Sequence, residues 1–381
     1  MINQRKYKQT EIGRIPKEWE LVTLEDIFDI QVGGDIYKLN YSKQKNERYK
    51  FPIYSNSVEN NGLYGYADTY QYSENCITVT GRGTLGIATP RFEKFNAIIR
   101  LLVLIPKANI NIIFASKYIN SRIAFRIEKT SIPQLTAPKL AKYKIPLPPL
   151  PEQQKIAEIL STVDEAIEKV DDSMEKTERL KKGLMQELLT KGIGHEEFKD
   201  TEIGRIPKEW EVVRLGQVFS LEYGKGLVEK ERENGEYPVY GSNGVVGYHS
   251  QYIVKGPGII IGRKGTIGAV TWSDRNFWPI DTTYYILLKI VEIDLKWLFY
   301  KLLSLKLAKL NMATGTPGLN RELVFKLKIP LPSLPEQKKI AEILSTVDKR
   351  LELLRSKKAK LERIKKGLMN ELLTGRRRVK I

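Results

Sequence analysis

The reading of this chain turns on Pro148-Pro149-Leu150-Pro151-Glu152-Gln153-Gln154-Lys155-Ile156-Ala157-Glu158-Ile159-Leu160-Ser161-Thr162-Val163-Asp164, because the stretch occurs twice. From Pro330 the sequence runs Pro330-Leu331-Pro332-Ser333-Leu334-Pro335-Glu336-Gln337-Lys338-Lys339-Ile340-Ala341, and thirteen of the fourteen residues from Pro151 match those from Pro335. A second repeat lies upstream of each. Thr10-Glu11-Ile12-Gly13-Arg14-Ile15-Pro16-Lys17-Glu18-Trp19-Glu20-Leu21-Val22 returns as Thr201 to Val213, with Val212 in place of Leu21. The chain is a duplication, and each half runs from a lead-in motif through a variable region and a proline-rich stretch to a long patterned segment.

That segment carries a heptad. In the first copy the apolar positions are Ile156, Leu160, Val163, Ile167, Val170, Met174, Leu184 and Leu188, with Thr177 and Lys181 as polar members. In the second they are Ile340, Leu344, Val347, Leu351, Leu354, Leu361, Leu368 and Leu372, with Lys358 and Lys365. Alternating steps of four and three make a narrow seam suited to one long partner helix. The pattern predicts two helices of about 58 Å, at ~1.5 Å per residue, entered through extended proline segments. From Glu152 to Thr190 there are ten acidic and six basic residues; from Glu336 to Thr374 there are six acidic and eleven basic. Opposite net charge favours pairing with each other within one chain. Gly183 and Gly367 share one register, and are read as points of close approach where the helices cross.

With 381 residues, 41% of them hydrophobic, the chain can bury two or three cores. The formal net charge of +18 falls mostly outside the helices. Such an excess predicts a polyanionic partner, nucleic acid first and an anionic membrane surface second. The start has no apolar leader, and the longest apolar stretch, Ala97 to Ile105, is interrupted by Arg100. A cytoplasmic protein without membrane contact is expected. Cys76 sits in an apolar run and reads as core, as do Trp19 and Trp210. His195 and His249 are the only histidines, so no metal site of ordinary spacing is expected.

Between the repeats the two halves drift but keep their order. Tyr54-Ser55-Asn56-Ser57 through Tyr66 answers Tyr240-Gly241-Ser242-Asn243 through Tyr248, and Gly81-Arg82-Gly83-Thr84 answers Gly262-Arg263-Lys264-Gly265-Thr266. Strand composition marks Cys76–Thr80, Ile98–Ile105, Ile259–Ile261 and Thr283–Leu288; Ile113–Arg126 and Leu295–Leu310 read as helices. The fold class is α/β: two mixed α/β domains separated by two long helices that pair within the chain, with a pseudo-two-fold internal repeat. Boundaries fall at 1–149 for the first domain, 150–192 for the first helix, 193–334 for the second domain, and 335–381 for the second helix and a basic tail. In the glycine-rich loops the backbone can approach phosphate while Arg82 or Arg263 reaches a guanine edge, flanked by Thr84, Lys264 and Thr266. A turn with a solvated arginine explains the same residues. Asn56, Ser57, Tyr66, Ser242, Asn243 and Tyr248 suit adenine edges and sugars, or ordinary turns. A third pair of loops precedes each proline stretch and offers Gln134, Thr136 and Lys139 in one half, and Thr316, Asn320 and Arg321 in the other. The tail Arg376-Arg377-Arg378 reads as a phosphate contact or a solvated end.

Two variable regions, each followed by Pro-Leu-Pro-Pro-Leu-Pro-Glu-Gln-Gln-Lys-Ile-Ala or its near copy and a long helix, resemble the specificity (S, HsdS) subunit of type I restriction-modification systems. The resemblance covers nearly the whole chain. It implies that each variable region reads one half of a bipartite, asymmetric double-stranded DNA site. It also implies that the two regions are target recognition domains and that the helices form an intramolecular antiparallel coiled coil that spaces them and docks two methyltransferase (M) subunits, with restriction-translocase (R) subunits joining through the complex. S-adenosylmethionine and ATP are then expected on those partners only. The second copy departs at Ser333 and Lys338.

Chemistry-bearing motifs point the same way. There is no Asn-Pro-Pro-aromatic motif for adenine methylation, and Gly224-Lys225-Gly226 lacks the spacing and hydroxyl of a phosphate-binding loop. The expectation is a non-catalytic recognition subunit. The alternatives are a specificity chain of a related type II-like restriction-modification enzyme, a single-chain enzyme with an unrecognised site, and a DNA-binding scaffold without modification partners.

Overall fold

Each lead-in motif folds into the same hairpin. Tyr7–Thr10 pairs antiparallel with Gly13–Pro16, and Phe198–Thr201 with Gly204–Pro207. The turns need a left-handed residue, supplied by Gly13 at φ 108° and Gly204 at φ 109°. In each turn a threonine hydroxyl, Thr10 or Thr201, donates to the glycine carbonyl at 2.6 Å. The computed structural model describes residues 6–125, 133–310 and 318–380. The chain forms two compact units, one of residues up to Val170 together with those from Lys357 onward, the other Asp171–Ser356. Each unit therefore holds one recognition region, the start of one long helix and the end of the other.

In the first unit, Phe28–Val32, Leu102–Pro106, Cys76–Val79 and Ala88–Arg91 form an antiparallel sheet in that spatial order. A second sheet orders Asn96–Ala97, Phe51–Tyr54, Leu63–Ala67 and Tyr41–Ser42. The second unit repeats the plan with Phe219–Tyr223, Thr283–Leu288, Gly258–Gly262 and Val270–Ser273, and with Gly244–His249, Tyr237–Gly241 and Trp278–Pro279. In both units the recognition region leaves and returns through one two-stranded sheet: Thr23 pairs with Lys144, and Arg214 with Lys328. The frame closes behind the variable part.

Several expected elements have different bounds. The strand expected from Ile98 begins at Leu102, because Ile99 and Arg100 take left-handed backbone angles of φ 55° and 58° that no strand allows. The helix expected over Leu295–Leu310 stops at Ser304, and Lys306 at φ 50° separates it from a short 3₁₀ turn, Leu307–Leu310. The helix expected from Ile113 runs Ile112–Arg122, capped by the Asn111 side chain, which accepts from the Phe114 amide at 2.9 Å.

Leu150–Leu188 and Leu334–Leu372 are continuous 39-residue helices. Pro151 and Pro335 fall in their first turns, where no intrahelical donor is lost. The seam is buried at Ile156, Leu160, Val170, Leu188, Ile340, Leu344, Val347, Leu351 and Leu372, and half-buried at Val163, Ile167, Met174, Leu184, Leu354, Leu361 and Leu368. The helices run antiparallel. In the first unit Asp164 accepts from Lys365 at 2.6 Å, and in the second Asp348 accepts from Lys181 at 2.6 Å, so the polar seam members fix one register at both ends. Burial raises the Asp164 carboxyl, but Lys117 and Lys365 outweigh it and hold the group below its usual range.

The expectation for the two glycines is overturned. A side chain added at Gly183 or Gly367 would meet nothing within 4 Å, so neither serves close approach within this chain.

The Pro-Glu-Gln repeat anchors each helix to its unit. Gln153 donates to the Pro148 carbonyl at 2.8 Å and accepts from the Asn111 amide at 2.9 Å; Gln337 does the same toward Pro332 and Asp294, both at 2.9 Å. Glu152, fully buried, accepts the Trp19 indole N–H at 3.0 Å, and Glu336 accepts that of Trp210 at 2.9 Å. Both tryptophans are core residues.

Candidate nucleic-acid interface

Gly81 is the meeting point of the first unit's loops. A Cβ there would stand 2.9 Å from the Leu135 carbonyl oxygen and 3.2 Å from that of Arg100, so only glycine lets the three segments touch. The Leu135 amide donates to the Gly81 carbonyl at 2.9 Å. Asn56 completes the junction: its side-chain oxygen accepts from the Gly81 and Arg82 amides at 2.7 and 3.3 Å, and its amide nitrogen donates to the Ile99 carbonyl at 2.5 Å. Arg82 is half-buried, and its Nε is a buried donor with no partner among the described residues. Thr84, Gln134 and Lys139 are exposed around this junction and Thr136 is half-buried, preceding the helix Ala137–Ala141.

The second unit builds a related junction on Gly262, which by its bonds to Ala269 and Gly268 answers Thr80, bonded to Ile87 and Gly86, so that Arg263 falls opposite Gly81 and Lys264 opposite Arg82. A Cβ added at Gly262 would meet the Thr266 and Ser242 carbonyls at 2.1 and 2.9 Å. The Ser242 hydroxyl accepts from the Thr266 amide at 3.4 Å, and the Leu319 amide donates to the Arg263 carbonyl at 2.9 Å. Arg263 donates from Nε and a terminal nitrogen to the Asp281 carbonyl at 3.1 and 2.7 Å. Its guanidinium carbon lies 5.2 Å from the Tyr223 ring centre, and that of Arg321 lies 5.4 Å from the same ring. Tyr223 is therefore an exposed aromatic face contacted by two cations. Burial, followed by the contact with Tyr223, pushes the adjoining Tyr284 phenol up to about 12, and it donates to the Leu319 carbonyl at 3.3 Å. Lys264, Thr266 and Asn243 are exposed at the rim. Asn320, also exposed, caps the helix Arg321–Lys326 by accepting from the Glu322 amide at 2.9 Å.

Not every candidate gathers at these junctions. Tyr66 and Tyr248 pair with Pro52 and Pro238, several residues along their hairpins from the turns that carry Asn56 and Ser242. Ser57 is exposed and caps its own turn, accepting from the Glu59 amide at 3.2 Å. Thr316 lies outside the described residues. The tail does something the sequence did not suggest. Arg378 reaches back into the first unit and donates to both oxygens of buried Glu152 at 2.6 and 2.8 Å, and to Glu18 at 2.8 Å. In the second unit His195 takes that place beside Glu336, at 2.9 Å.

With this repeated geometry in view, comparison with known proteins is decisive. The family described as the type I restriction modification DNA specificity domain matches twice, over residues 16–175 and 207–363. This chain belongs to that family. Among its specificity-family relatives, the specificity subunit of type I restriction enzyme MjaVIII of Methanocaldococcus jannaschii is 30% identical, with 99% of this chain and 97% of the relative covered. The putative MjaX specificity subunit of the same organism is 28% identical, over 99% and 98%. The solved S subunit from M. genitalium shares the fold, with a TM-score of 0.70 over 93% of this chain and 96% of that one at 20% identity.

Within this specificity-family chain, sequence reasoning missed Tyr223, Arg100 and the role of Arg378. Tyr223 ends a strand and precedes Gly224, a junction signal that went unused. Arg100 lay inside an apolar run taken whole for a strand. Nothing in the tail marked one arginine of three as the partner of a buried glutamate 226 residues away in sequence.

Proposed function

We propose that this chain is the recognition subunit of a type I restriction-modification assembly. Its two units read the two halves of a bipartite duplex site, and its helices hold them apart while docking methyltransferase subunits. The observation that carries this reading is the repetition of one frame around two different junctions: Asn56, Arg82 and Leu135 around Gly81, against Ser242, Arg263 and Leu319 around Gly262. Identical frames hold two readers in equivalent poses, and different loops give them different sequences to read. The net charge of +18 is the electrostatic footprint expected of a chain that binds DNA.

The helix surfaces supply a docking site twice. Glu178-Arg179-Leu180-Lys181-Lys182-Gly183-Leu184-Met185 recurs as Glu362-Arg363-Ile364-Lys365-Lys366-Gly367-Leu368-Met369 with one change, one copy in each unit. Leu180 and Ile364 are 54% and 52% exposed, each three residues before a glycine with open space above it. An apolar side chain beside a bare backbone is the contact that another helix uses to approach closely. Two equal copies on one chain fit two equal methyltransferase subunits. Those partners, and the restriction subunits that join them, would supply S-adenosylmethionine and ATP chemistry, and the chain itself none.

Gly183→Leu and Gly367→Leu test both parts. Each should leave folding intact or gain roughly 0.5–1 kcal/mol from better helix propensity. Each should cut the co-purified complex from two methyltransferase subunits per chain to one, and the double variant should bind none and direct no methylation. Full assembly and methylation by the double variant would remove these surfaces from the account. Methyl transfer by the chain alone, given duplex DNA and S-adenosylmethionine, would overturn the non-catalytic reading.

A further inference from the structure

Ile99 and Arg100 are two consecutive non-glycine residues in the left-handed region. Ile99 is the only β-branched residue so placed among the described residues, and it is exposed, so no burial of its side chain explains the conformation. A left-handed β-branched residue is a steric outlier, and such strain persists only where the surroundings over-determine it. Here they do. The Ile99 amide donates to the Gly34 carbonyl at 2.9 Å, the Arg100 amide to Gly33 at 3.3 Å and the Leu101 amide to Ile98 at 3.1 Å. Asn56 holds the Ile99 carbonyl from the side at 2.5 Å.

What this rigid turn presents is Arg100. Its side chain is exposed and has no carboxylate or carbonyl partner among the described residues. Its own carbonyl packs on the position of Gly81, one residue before Arg82. The second unit lacks the device. Matching hydrogen bonds, Gly33 to Leu101 with Gly224 to Thr283, and Ile98 to Tyr54 with Ile280 to Tyr240, put Asp281 and Thr282 at the equivalent positions. Neither is left-handed, and the Asp281 carbonyl is spent on Arg263. The difference between the units is thus Ile99 and a free Arg100 on a strained turn in one, against Asp281 and Thr282 on an ordinary turn in the other.

We propose that Arg100 is a base-reading residue of the first unit, aimed at a guanine edge, and that Asn56 is the positioning residue that holds Arg100 and Arg82 at a fixed separation. The inference rests on the proposed reading of DNA by this unit. An arginine fork discriminates guanine by pairing with O6 and N7 together, which demands a backbone held still. Asn56 spends both ends of its amide on the two arginine-bearing turns, so it acts on DNA through them.

The test uses the complete complex with its methyltransferase subunits. It compares methylated-site sequences and duplex binding for Arg100→Ala, Arg100→Lys, Asn56→Ala and Ile99→Gly. Arg100→Ala should relax one base pair of one half-site by roughly 10- to 100-fold in discrimination, leaving the other half-site unchanged, and lysine should recover little of it. Asn56→Ala should blur that position and the one read by Arg82. Ile99→Gly, which removes the strain, should melt no lower than the parent and yet discriminate less well at the same base pair. Equal weakening of Arg100→Ala on all sequences, with a salt dependence reduced by about one ion, would make Arg100 a phosphate contact and overturn the proposal. So would unchanged specificity in Arg100→Ala. Failure of the parent complex to prefer any duplex sequence would instead overturn the DNA-recognition reading itself.

Discussion

Glu152 and Arg378 show how a single residue ties sequence ends together. A carboxylate removed from water needs partners for both oxygens, and Trp19 and Arg378 supply them. Removing one partner leaves an uncompensated buried charge. Arg378→Ala should destabilise the first unit by roughly 2–3 kcal/mol, less than a fully enclosed pair because the guanidinium is a third exposed. Arg376→Ala, at an exposed neighbour, should cost little. Denaturant unfolding of the full chain measures both, and equal losses would show the tail to be an unspecific basic cover. The glutamate was legible as part of a repeat, its burial was not: burial depends on the tryptophan 133 residues earlier and on a tail that brings its own cation. Gly81 and Gly262 were legible as loop glycines, but the crowding of carbonyls that forbids a side chain arises only when three distant segments meet.

Among the elements, the helices were the most readable, since a heptad repeated over 39 residues leaves one seam and one partner. Pairing within the chain was implied by opposite net charge and the antiparallel direction by the family resemblance, and the register is set by Asp164 with Lys365 and Asp348 with Lys181. The strands were legible where apolar runs are plain, and misjudged at Ile98–Leu101, where hydrogen bonds to Gly33, Gly34 and Asn56 override strand propensity. If the helices set the separation of the reading units, four residues inserted after Met174 and four after Lys358 should lengthen each by ~6 Å. At ~3.4 Å per base pair the unspecified spacer of the methylated site should grow by at most about two base pairs, with both half-site sequences kept. Sequencing methylated sites in a host that carries the insertion reads this directly. An unchanged spacer in a variant that assembles and methylates would leave the helices a docking role only.

At the scale of the whole molecule, duplication with divergence is the organising fact. Lead-in hairpins, Pro-Glu-Gln anchors and helix ends match between the halves, while the recognition regions share only a topology. The structure shows why the variable part can change alone: it departs and returns through paired strands, Thr23 beside Lys144 in one half and Arg214 beside Lys328 in the other. Each reader is an insert closed by its own frame. The central claim is that these inserts specify the two half-sites independently. Its most direct test replaces residues 23–144 with the corresponding segment of a specificity-family relative and sequences the sites methylated by the reconstituted complex. The account predicts that one half of the site changes to the relative's sequence, while the other half and the spacer stay as they were. A change in both halves together would contradict it.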